Sequence, residues 1–338
     1  MPPNLRLHIG PTSPGMSNPT ILLLALLIDA AVGDPDWLYR AIPHPAVLAG
    51  RVVDWVDQSL NNLADSPAMR RFWGIVAVVF LVGCSLAIGW LVEAALTYMP
   101  LGWVVDAVLM STLIAQNSLY RHVGAVATGL DQGGLAGGRE AVEHIVGRDP
   151  DTLDEPGVAR AALESLAENF SDGVTAPLFW ALLLGLPGIL AYKIVNTADS
   201  MIGHRTPRYE HFGWAAARLD DLLNLVPARL AGAILCGAAF LLSRADGRSA
   251  WQAMWRDARK HHSPNAGWPE AAMSGTLGLA LAGPRVYDGE PVDDAWMGAG
   301  GRTDATAADV RRGLKLYVIA CAIQAGIVAI VAAIAWVV

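Results

Sequence analysis

Two apolar stretches, Phe72–Tyr98 and Leu314–Val338, constrain this chain more than any other feature. Each exceeds the roughly 20 residues that an α-helix needs to cross the hydrocarbon layer of a bilayer. Because backbone groups in lipid must be satisfied within the spanning segment, we predict an all-α, multi-pass integral membrane protein. Four further apolar stretches are shorter or are interrupted by Gly and Pro: Val174–Ile194, Val226–Leu242, Thr20–Gly33 and Trp103–Ala115.

The composition agrees with this class. Hydrophobic residues make up 54% of the chain and charged residues only 16%, whereas soluble domains carry about 25% charged residues. The net charge of −7 excludes a protein that coats nucleic acid. Cys84, Cys236 and Cys321 lie far apart within apolar segments, so we interpret them as small buried hydrophobic residues. We expect a poorly ordered, Pro-rich extension at 1–19 and a single domain at 20–338.

Clusters of carboxylates and amides lie directly beside two of the interrupted apolar stretches. Ionisable residues at membrane depth are costly and usually mark a functional site. We therefore predict that the clusters converge on one polar cavity at the water boundary, although a helix cap or a solvated helix face would explain each motif singly. The clusters are Glu164, Glu168, Asn169 and Asp172; Asn196, Asp199 and Ser200; and Asp220, Asp221 and Asn224.

The spacing within the clusters suggests phosphate and Mg²⁺ chemistry. Glu164, Glu168 and Asp172 follow each other at intervals of four residues, which places three carboxylates on one helical face. Like charges repel at this spacing unless a cation or a proton intervenes. Mg²⁺ typically takes one or two carboxylates together with substrate phosphates. The predicted metal ligands are Glu168, Asp172, Asp220 and Asp221.

Basic residues and a turned loop follow the acidic clusters. Arg205, Arg208, Arg218 and Arg229 could hold phosphates by forked hydrogen bonds, or could serve as salt-bridge partners or membrane anchors. In HHSPNAGWPEAA, the prolines predict a turn followed by a helix that begins at Pro269.

Two segments bear on the placement in the membrane. Ser249–His262 has the pattern of a helix that either lies in the membrane interface or packs on protein. Val174–Ile194 contains LGLPG at its centre, where Gly and Pro could fold the segment into a re-entrant hairpin. Such a hairpin would place Asn196–Ser200 and His261–Glu270 on one membrane face, which strict alternation of spans would not.

Several long motifs in a fixed order carry a family resemblance. They are GDPDWL, HPAVLAGR, VGRD, ESLAENFSDGVTAPLFW, AYKIVNTADSMIG, ARLDDLLNLVPARL and SPNAGWPEAAMSGTLG. With these motifs the chain resembles the CobD/CbiB family of cobalamin biosynthesis, the adenosylcobinamide-phosphate synthases, from about Leu26 almost to Val338. One departure is Phe170, where the family pattern leads us to expect a small polar residue.

The resemblance implies a ligase in the cell (inner) membrane, with its active site facing the cytoplasm. It would use ATP and Mg²⁺, with no tightly bound cofactor, to join 1-aminopropan-2-ol or its O-phosphate to the free propionate of adenosylcobyric acid. The expected partners are these substrates, the lipid bilayer and other membrane enzymes of the cobalamin pathway. The predicted catalytic residues are Glu164, Glu168, Asp172, Asp199 and Asp220. The predicted substrate- and nucleotide-binding residues are Asn169, Asn196, Ser200, Lys193, Arg205, Arg218, Asn224, Arg229, His44, Arg51, Ser263, Asn265 and Glu270.

Two other classes of function fit parts of the sequence. A transporter or membrane assembly factor would explain interrupted apolar segments and intramembrane acids. It would not require the SPNAGWPE loop or ATP. A membrane prenyl-type transferase would bind Mg-diphosphate on acidic helix faces, but the Asp-rich repeats of such enzymes are absent from this sequence.

Overall fold

The structure, a computed structural model, describes residues 17–146, 149–242, 245–287, 290–292 and 294–337. Most of the predicted extension at 1–19 lies outside these residues. The helices are α1 (Asn18–Val32), α2 (Asp36–Tyr39), α3 (Pro45–Leu60), α4 (Pro67–Leu96), α5 (Gly102–Ser111), α6 (Gln116–Val142), α7 (Glu155–Asn169), α8 (Ala176–Ile202), α9 (Trp214–Leu223), α10 (Leu225–Ala239), α11 (Gly247–Asp257), α12 (Gly267–Leu277) and α13 (Ala307–Val337). Short 3-10 turns lie at Pro150–Thr152 and Ala258–Lys260, and a π-helical segment, Phe170–Thr175, joins α7 to α8.

The predicted all-α fold is confirmed. The described strands form only two antiparallel ribbons of two strands each. Strand β1 (Leu281–Ala282) pairs with β4 (Trp296–Met297), and β2 (Arg285–Tyr287) pairs with β3 (Glu290–Val292).

Three helical runs are long and apolar enough to cross a membrane: Pro67–Leu96, Glu155–Ile202 and Ala307–Val337. A fourth arises if α9 and α10, bent by 46° relative to each other, form one broken span. Large apolar side chains are exposed along α4 and α13, including Phe72, Val79 and Ile330, as expected of surfaces that face lipid rather than water. The expectation that the cysteines are buried is confirmed for Cys236, is wrong for Cys84, which is exposed on α4, and holds in part for the half-buried Cys321.

The predicted reversal in Val174–Ile194 is confirmed as a local feature. Gly185 interrupts α8 with a φ of +68° and a ψ of −151°. A Cβ atom added at Gly188 would lie 2.3 Å from the carbonyl oxygen of Trp180, although residues 180 and 188 would be about 12 Å apart along a straight helix. The two halves of α8 therefore fold back on each other. Gly134 interrupts α6 in the same way, with a φ of +58°.

Side chains satisfy backbone groups that this reversal leaves without helical partners. Glu93 Oε1 accepts a hydrogen bond of 2.8 Å from the Leu186 N–H. Asn18 Nδ2 donates to the carbonyl oxygen of Ala181 at 2.9 Å. Helix ends lack internal partners, and in lipid no water can replace them. Glu93 and Asn18 therefore stabilise the hairpin at the two helix ends that meet near Gly185.

The chain forms two compact units. The first contains the described residues up to Ile114, Pro177–Asp220 and the end of α13 from Ile327. The second contains Ala115–Ala176 and Asp221–Gly326. In the first unit α1 and α4 both pack against α5, and α3 packs against α4. In the second, α10 and α11 pack on α12, and α7 packs on α6 and α12. The single domain at 20–338 stays a prediction.

Candidate active site

In the first unit, the second half of α8 and the C-terminal part of α9 bring two of the predicted clusters together. Asn196 Nδ2 donates a hydrogen bond of 3.3 Å to Asp220 Oδ1. Asp220 is buried, whereas Asn196 and Asp199 are half-buried. A Cβ atom added at Gly203 would lie 2.0 Å from Asp199 Oδ1, so the Asp199 carboxylate rests against the chain just after α8. The meeting of KIVNTADSM with ARLDD is thereby confirmed.

The other predicted residues of this region surround the pair. Lys193, half-buried, lies one turn before Asn196, and the exposed Ser200 donates from Oγ to the Asn196 carbonyl oxygen at 2.9 Å. Arg205 and Arg218 are both exposed and line a common polar cavity. The binding roles of these four residues stay predictions.

A polar network anchors the connector between α8 and α9. The salt-bridge alternative is confirmed for Arg208, whereas the sequence analysis missed its partners Asp57, Asn61 and Arg70. Arg208 donates to Asp57 Oδ2 at 2.5 Å, and Asn61 donates to Asp57 Oδ1 at 2.7 Å. Arg70 donates to Asn61 Oδ1 at 3.1 Å. The hydrogen bond to Asp57 raises the pKa of Arg208. In the sequence, Asp57 and Asn61 lie four residues apart, which places both on one helical face, and the Arg70–Arg71 pair follows them. This spacing was the signal from which the network could have been predicted.

His44 and Arg51, from the HPAVLAGR motif, lie at and within α3. His44 Nδ1 accepts a hydrogen bond of 3.1 Å from the Ala46 N–H, and Nε2 lies 3.2 Å from Asp34 Oδ1. This arrangement fits a neutral imidazole with its proton on Nε2. His44 thus caps α3 and joins it to the preceding loop, while Arg51 is exposed.

In the second unit, ESLAENFSDG spans the change from α7 to the π-helical segment. Glu164 is buried, and its Oε1 accepts a hydrogen bond of 2.9 Å from the Ala282 N–H. Glu168 and Asn169 are exposed, and Asp172 is half-buried. Glu164 and Glu168 keep the expected spacing within α7, although only Glu168 is exposed. The expected single face of three carboxylates is wrong for Asp172, because it belongs to the π-helical segment, where the helical spacing changes. Such segments inside α-helices are frequent at functional sites.

Phe170, the departure from the family pattern, has a packing role. Its ring is fully buried and meets the Tyr317 ring edge-on, with centroids 5.6 Å apart. The Tyr317 hydroxyl donates to the Gln116 carbonyl oxygen at 2.9 Å. Phe170 therefore packs inside the unit, while its neighbours Glu168 and Asn169 lie at the surface.

The SPNAGWPE loop meets the ARLDDLLNLVPAR motif within the second unit. Asn265 Nδ2 donates to the Asp221 carbonyl oxygen at 2.8 Å, and its buried Oδ1 has no hydrogen-bond partner among the described residues. The Arg229 guanidinium lies over the Trp268 ring, 4.6 Å from its centroid. Ser263 Oγ accepts hydrogen bonds of 3.2 Å from the N–H groups of the two residues that follow Pro264.

The structure corrects one detail of these motifs. Helix α12 begins at Gly267, two residues before Pro269, because the Ser263 hydroxyl already turns the preceding backbone. Asn224 is buried between α9 and α10, and the shared helical face of Asp220 and Asn224 stays a prediction. Glu270, in the first turn of α12, is buried with its Oε1 at 3.6 Å from His261 Nε2.

Of the two alternatives for Ser249–His262, packing on protein is confirmed, and a position in the membrane interface stays a prediction; the α-helix itself, α11, ends at Asp257. Met254 and Ala258 are buried, while Trp251 and Trp255 are about half exposed. Two of the basic residues are engaged with protein, because Arg256 and Lys260 donate to the buried Asp257 at 2.6 and 2.8 Å. Burial alone would raise the pKa of Asp257, but these hydrogen bonds and those from backbone amides lower it to about 2.

The predicted metal site can be compared with the oxygen and nitrogen donors that the structure brings together. Among the described residues, no three His, Cys, Asp or Glu side chains are grouped so as to hold a metal ion. Carboxylates such as Asp172 and Asp220 fit a site in which Mg²⁺ takes one or two protein oxygens and completes its shell with phosphates and water. The ligand set Glu168, Asp172, Asp220 and Asp221 stays a prediction, as does convergence of all three clusters on one cavity.

Fold and site together define a helical membrane protein with a broken, reversing helix and polar motifs at its helix ends. The sequence model of the CobD/Cbib protein family matches residues 22–317, most of the chain. The chain belongs to this family.

Curated relatives cover nearly the full length of the chain. A Sinorhizobium sp protein named "Cobalamin biosynthesis protein CobD" is 51% identical over 314 residues, covering 92% of this chain and 97% of the relative. Proteins of the same name are 49% identical in Rhizobium meliloti (90% and 94% covered) and 47% identical in Rhodobacter capsulatus (89% and 93% covered). No solved structure matches. Family and relatives together assign the chain to cobalamin biosynthesis.

Proposed function

We propose that this chain catalyses ATP-dependent amide formation between 1-aminopropan-2-ol, or its O-phosphate, and the free propionate of adenosylcobyric acid. The product is adenosylcobinamide or its phosphate. The observation that carries the proposal is the family match over residues 22–317, which includes every polar motif described above. The paired motifs in each unit support it, because they hold carboxylates, amides and arginines at the helix ends.

The proposed chemistry has two steps. A propionate oxygen attacks the γ-phosphorus of ATP, and ADP leaves. The amine nitrogen then attacks the acyl carbon, inorganic phosphate leaves, and the amine gives up a proton. Mg²⁺, when bound, would offset the charge of the phosphates. In this proposal Asp199 and Asp220 accept the proton and orient the amine, which their proximity to Asn196 and to the end of α8 supports. Arg229 binds a phosphate, which its position over the Trp268 ring supports.

We further propose that the site opens to the cytoplasm, where ATP and the corrinoid are available. The half-exposed Trp251 and Trp255 of α11 suit the membrane interface. Arg248 and Arg259 of this segment are exposed. In this orientation they bind anionic lipid headgroups of the inner leaflet.

The reversal of α8 at Gly185 is the observation that favours the alternative, a transporter. Discontinuous helices often form the substrate sites of transporters. A transporter of this kind would not need to couple ATP consumption to the formation of an amide bond.

One assay separates the two. The purified protein is incubated with adenosylcobyric acid, the amine and Mg-ATP, and both ATP consumption and the amide product are measured. We expect ATP consumption only when both substrates are present, with one amide formed for each ATP consumed. Substrate uptake into vesicles without any amide product would contradict the proposal.

A further inference from the structure

A polar cavity of about 270 Å³ lies in the first unit, at the end of α8. Ligand pockets for drug-sized molecules span about 300–1,000 Å³, so this cavity suits one small group rather than a whole corrinoid. Its lining residues are Arg71, Gly203, Arg205, Glu210, Trp214, Ala217 and Arg218.

The charge of the lining matches one kind of ligand. Three arginines and one glutamate give a formal charge of +2 (3 − 1). A phosphate monoester carries about −1.5 to −2 charges at pH 7 and three strong acceptor oxygens. Arginine is the side chain best shaped to meet such oxygens with forked hydrogen bonds.

The surrounding structure holds the cavity in place. The Arg71 guanidinium lies 5.5 Å from the centroid of the Trp214 ring, which limits its mobility. A Cβ atom added at Gly74 would lie 2.0 Å from the Phe212 carbonyl oxygen, so the connector between α8 and α9 lies directly on α4. The ion pair of Arg208 with Asp57 fixes the same connector.

The position of Arg71 along α4 shows where the cavity lies relative to the apolar stretch. Arg71 immediately precedes the apolar stretch that begins at Phe72, whose side chain is exposed. The cavity therefore lies where this span meets water, and Gly203 in its wall touches the Asp199 carboxylate.

We propose that this cavity binds a phosphate dianion through Arg71, Arg205 and Arg218. The phosphate could come from a soluble substrate, namely the O-phosphate of the amine, or from an anionic lipid headgroup. The assignment to the amine rests on the proposed function, whereas phosphate binding itself does not.

Binding is tested with methyl phosphate, titrated calorimetrically at low salt into the full-length protein in detergent. Arg71→Gln is expected to weaken binding about tenfold or more, since it removes one charge-assisted contact. Glu210→Gln is expected to tighten binding severalfold, because it removes the one carboxylate among the described lining residues. The matched control Arg40→Gln, at an exposed arginine of the same unit, should leave the affinity unchanged.

The pH dependence gives a second readout. Affinity should fall between pH 7.5 and 5, because the second pKa of a phosphate monoester is about 6. Equal affinities for Arg71→Gln, Glu210→Gln and the control would overturn the proposal. Since the two lining variants shift binding in opposite directions, misfolding of one cannot imitate the expected pattern.

Two measurements identify the source of the phosphate: the KM values for the two amines and the amount of anionic phospholipid that co-purifies. If it belongs to the amine, Arg71→Gln raises the KM for aminopropanol O-phosphate and leaves that for free aminopropanol unchanged. If it belongs to lipid, the variant loses co-purifying anionic phospholipid and both KM values stay unchanged. Should the wild-type protein form no amide at all, the proposed function fails, while the methyl phosphate titration still decides the cavity.

Discussion

Replacement of Glu93 by alanine is expected to open the hairpin of α8. Glu93 Oε1 accepts from the Leu186 N–H at 2.8 Å, at the start of the second half of α8. A buried donor left without its acceptor costs about 1–3 kcal/mol. Since about 1.4 kcal/mol is a factor of ten, the amide of Leu186 should exchange its hydrogen roughly 5–150 times faster in Glu93→Ala.

Hydrogen exchange, followed by mass spectrometry on peptides that cover the reversal, measures this loss. Glu93→Gln keeps an oxygen acceptor at this position, so its protection should fall by about tenfold or less. Glu140→Ala, at an exposed glutamate of α6, serves as the control. Unchanged protection around Leu186 in Glu93→Ala would refute the assignment of Glu93 as the cap of this half-helix. A uniform loss over α13 as well would indicate general unfolding instead.

Three further outcomes are expected. Asp172→Asn and Asp220→Asn should each abolish turnover without loss of folding, because they keep shape but remove charge that a hard cation needs; turnover retained by both at limiting Mg²⁺ would contradict metal ligation there. Asp257 has a pKa of about 2, below the unfolded value of about 3.9, so its contribution is complete above about pH 4 and is lost as the pH falls towards 2. The difference in Tm between the wild type and Asp257→Asn should therefore shrink over that range, and a constant difference would be inconsistent with this linkage. Single cysteines at Ser200 and Ser263, in a background without other cysteines, should resist an impermeant thiol reagent in intact cells; labelling of either from outside would show that the orientation is reversed.

The membrane helices could be predicted because their signal is local. The apolar stretches beginning at Phe72 and Leu314 became α4 and α13, and LGLPG became the reversal of α8. Each of these features depends on hydrophobicity or on the backbone preferences of Gly and Pro. The approach of the Asn196 and Asp220 motifs could be predicted, since both adjoin apolar stretches, but the hydrogen bond between them could not.

Contacts that depend on tertiary structure could not be predicted. In the sequence, Glu93 is a single acidic residue near the end of an apolar stretch, and only the fold places it against Leu186. The sequence places Arg71 at the edge of an apolar stretch, as expected of a cation at the membrane boundary. In the fold it lines a cavity with residues that lie more than 130 positions further along the chain. Glu164 has the spacing of a ligand, but packing directs it to a backbone N–H of β1.

Isotope transfer tests the central claim most directly. Adenosylcobyric acid labelled with ¹⁸O in its free propionate is converted by the purified protein with the amine and Mg-ATP. If the propionate is activated as an acyl phosphate, each amide formed should release one ¹⁸O atom in inorganic phosphate. Amide formation with unlabelled phosphate, or with the label in AMP, would contradict the acyl-phosphate route, and the absence of any amide would contradict the ligase assignment itself.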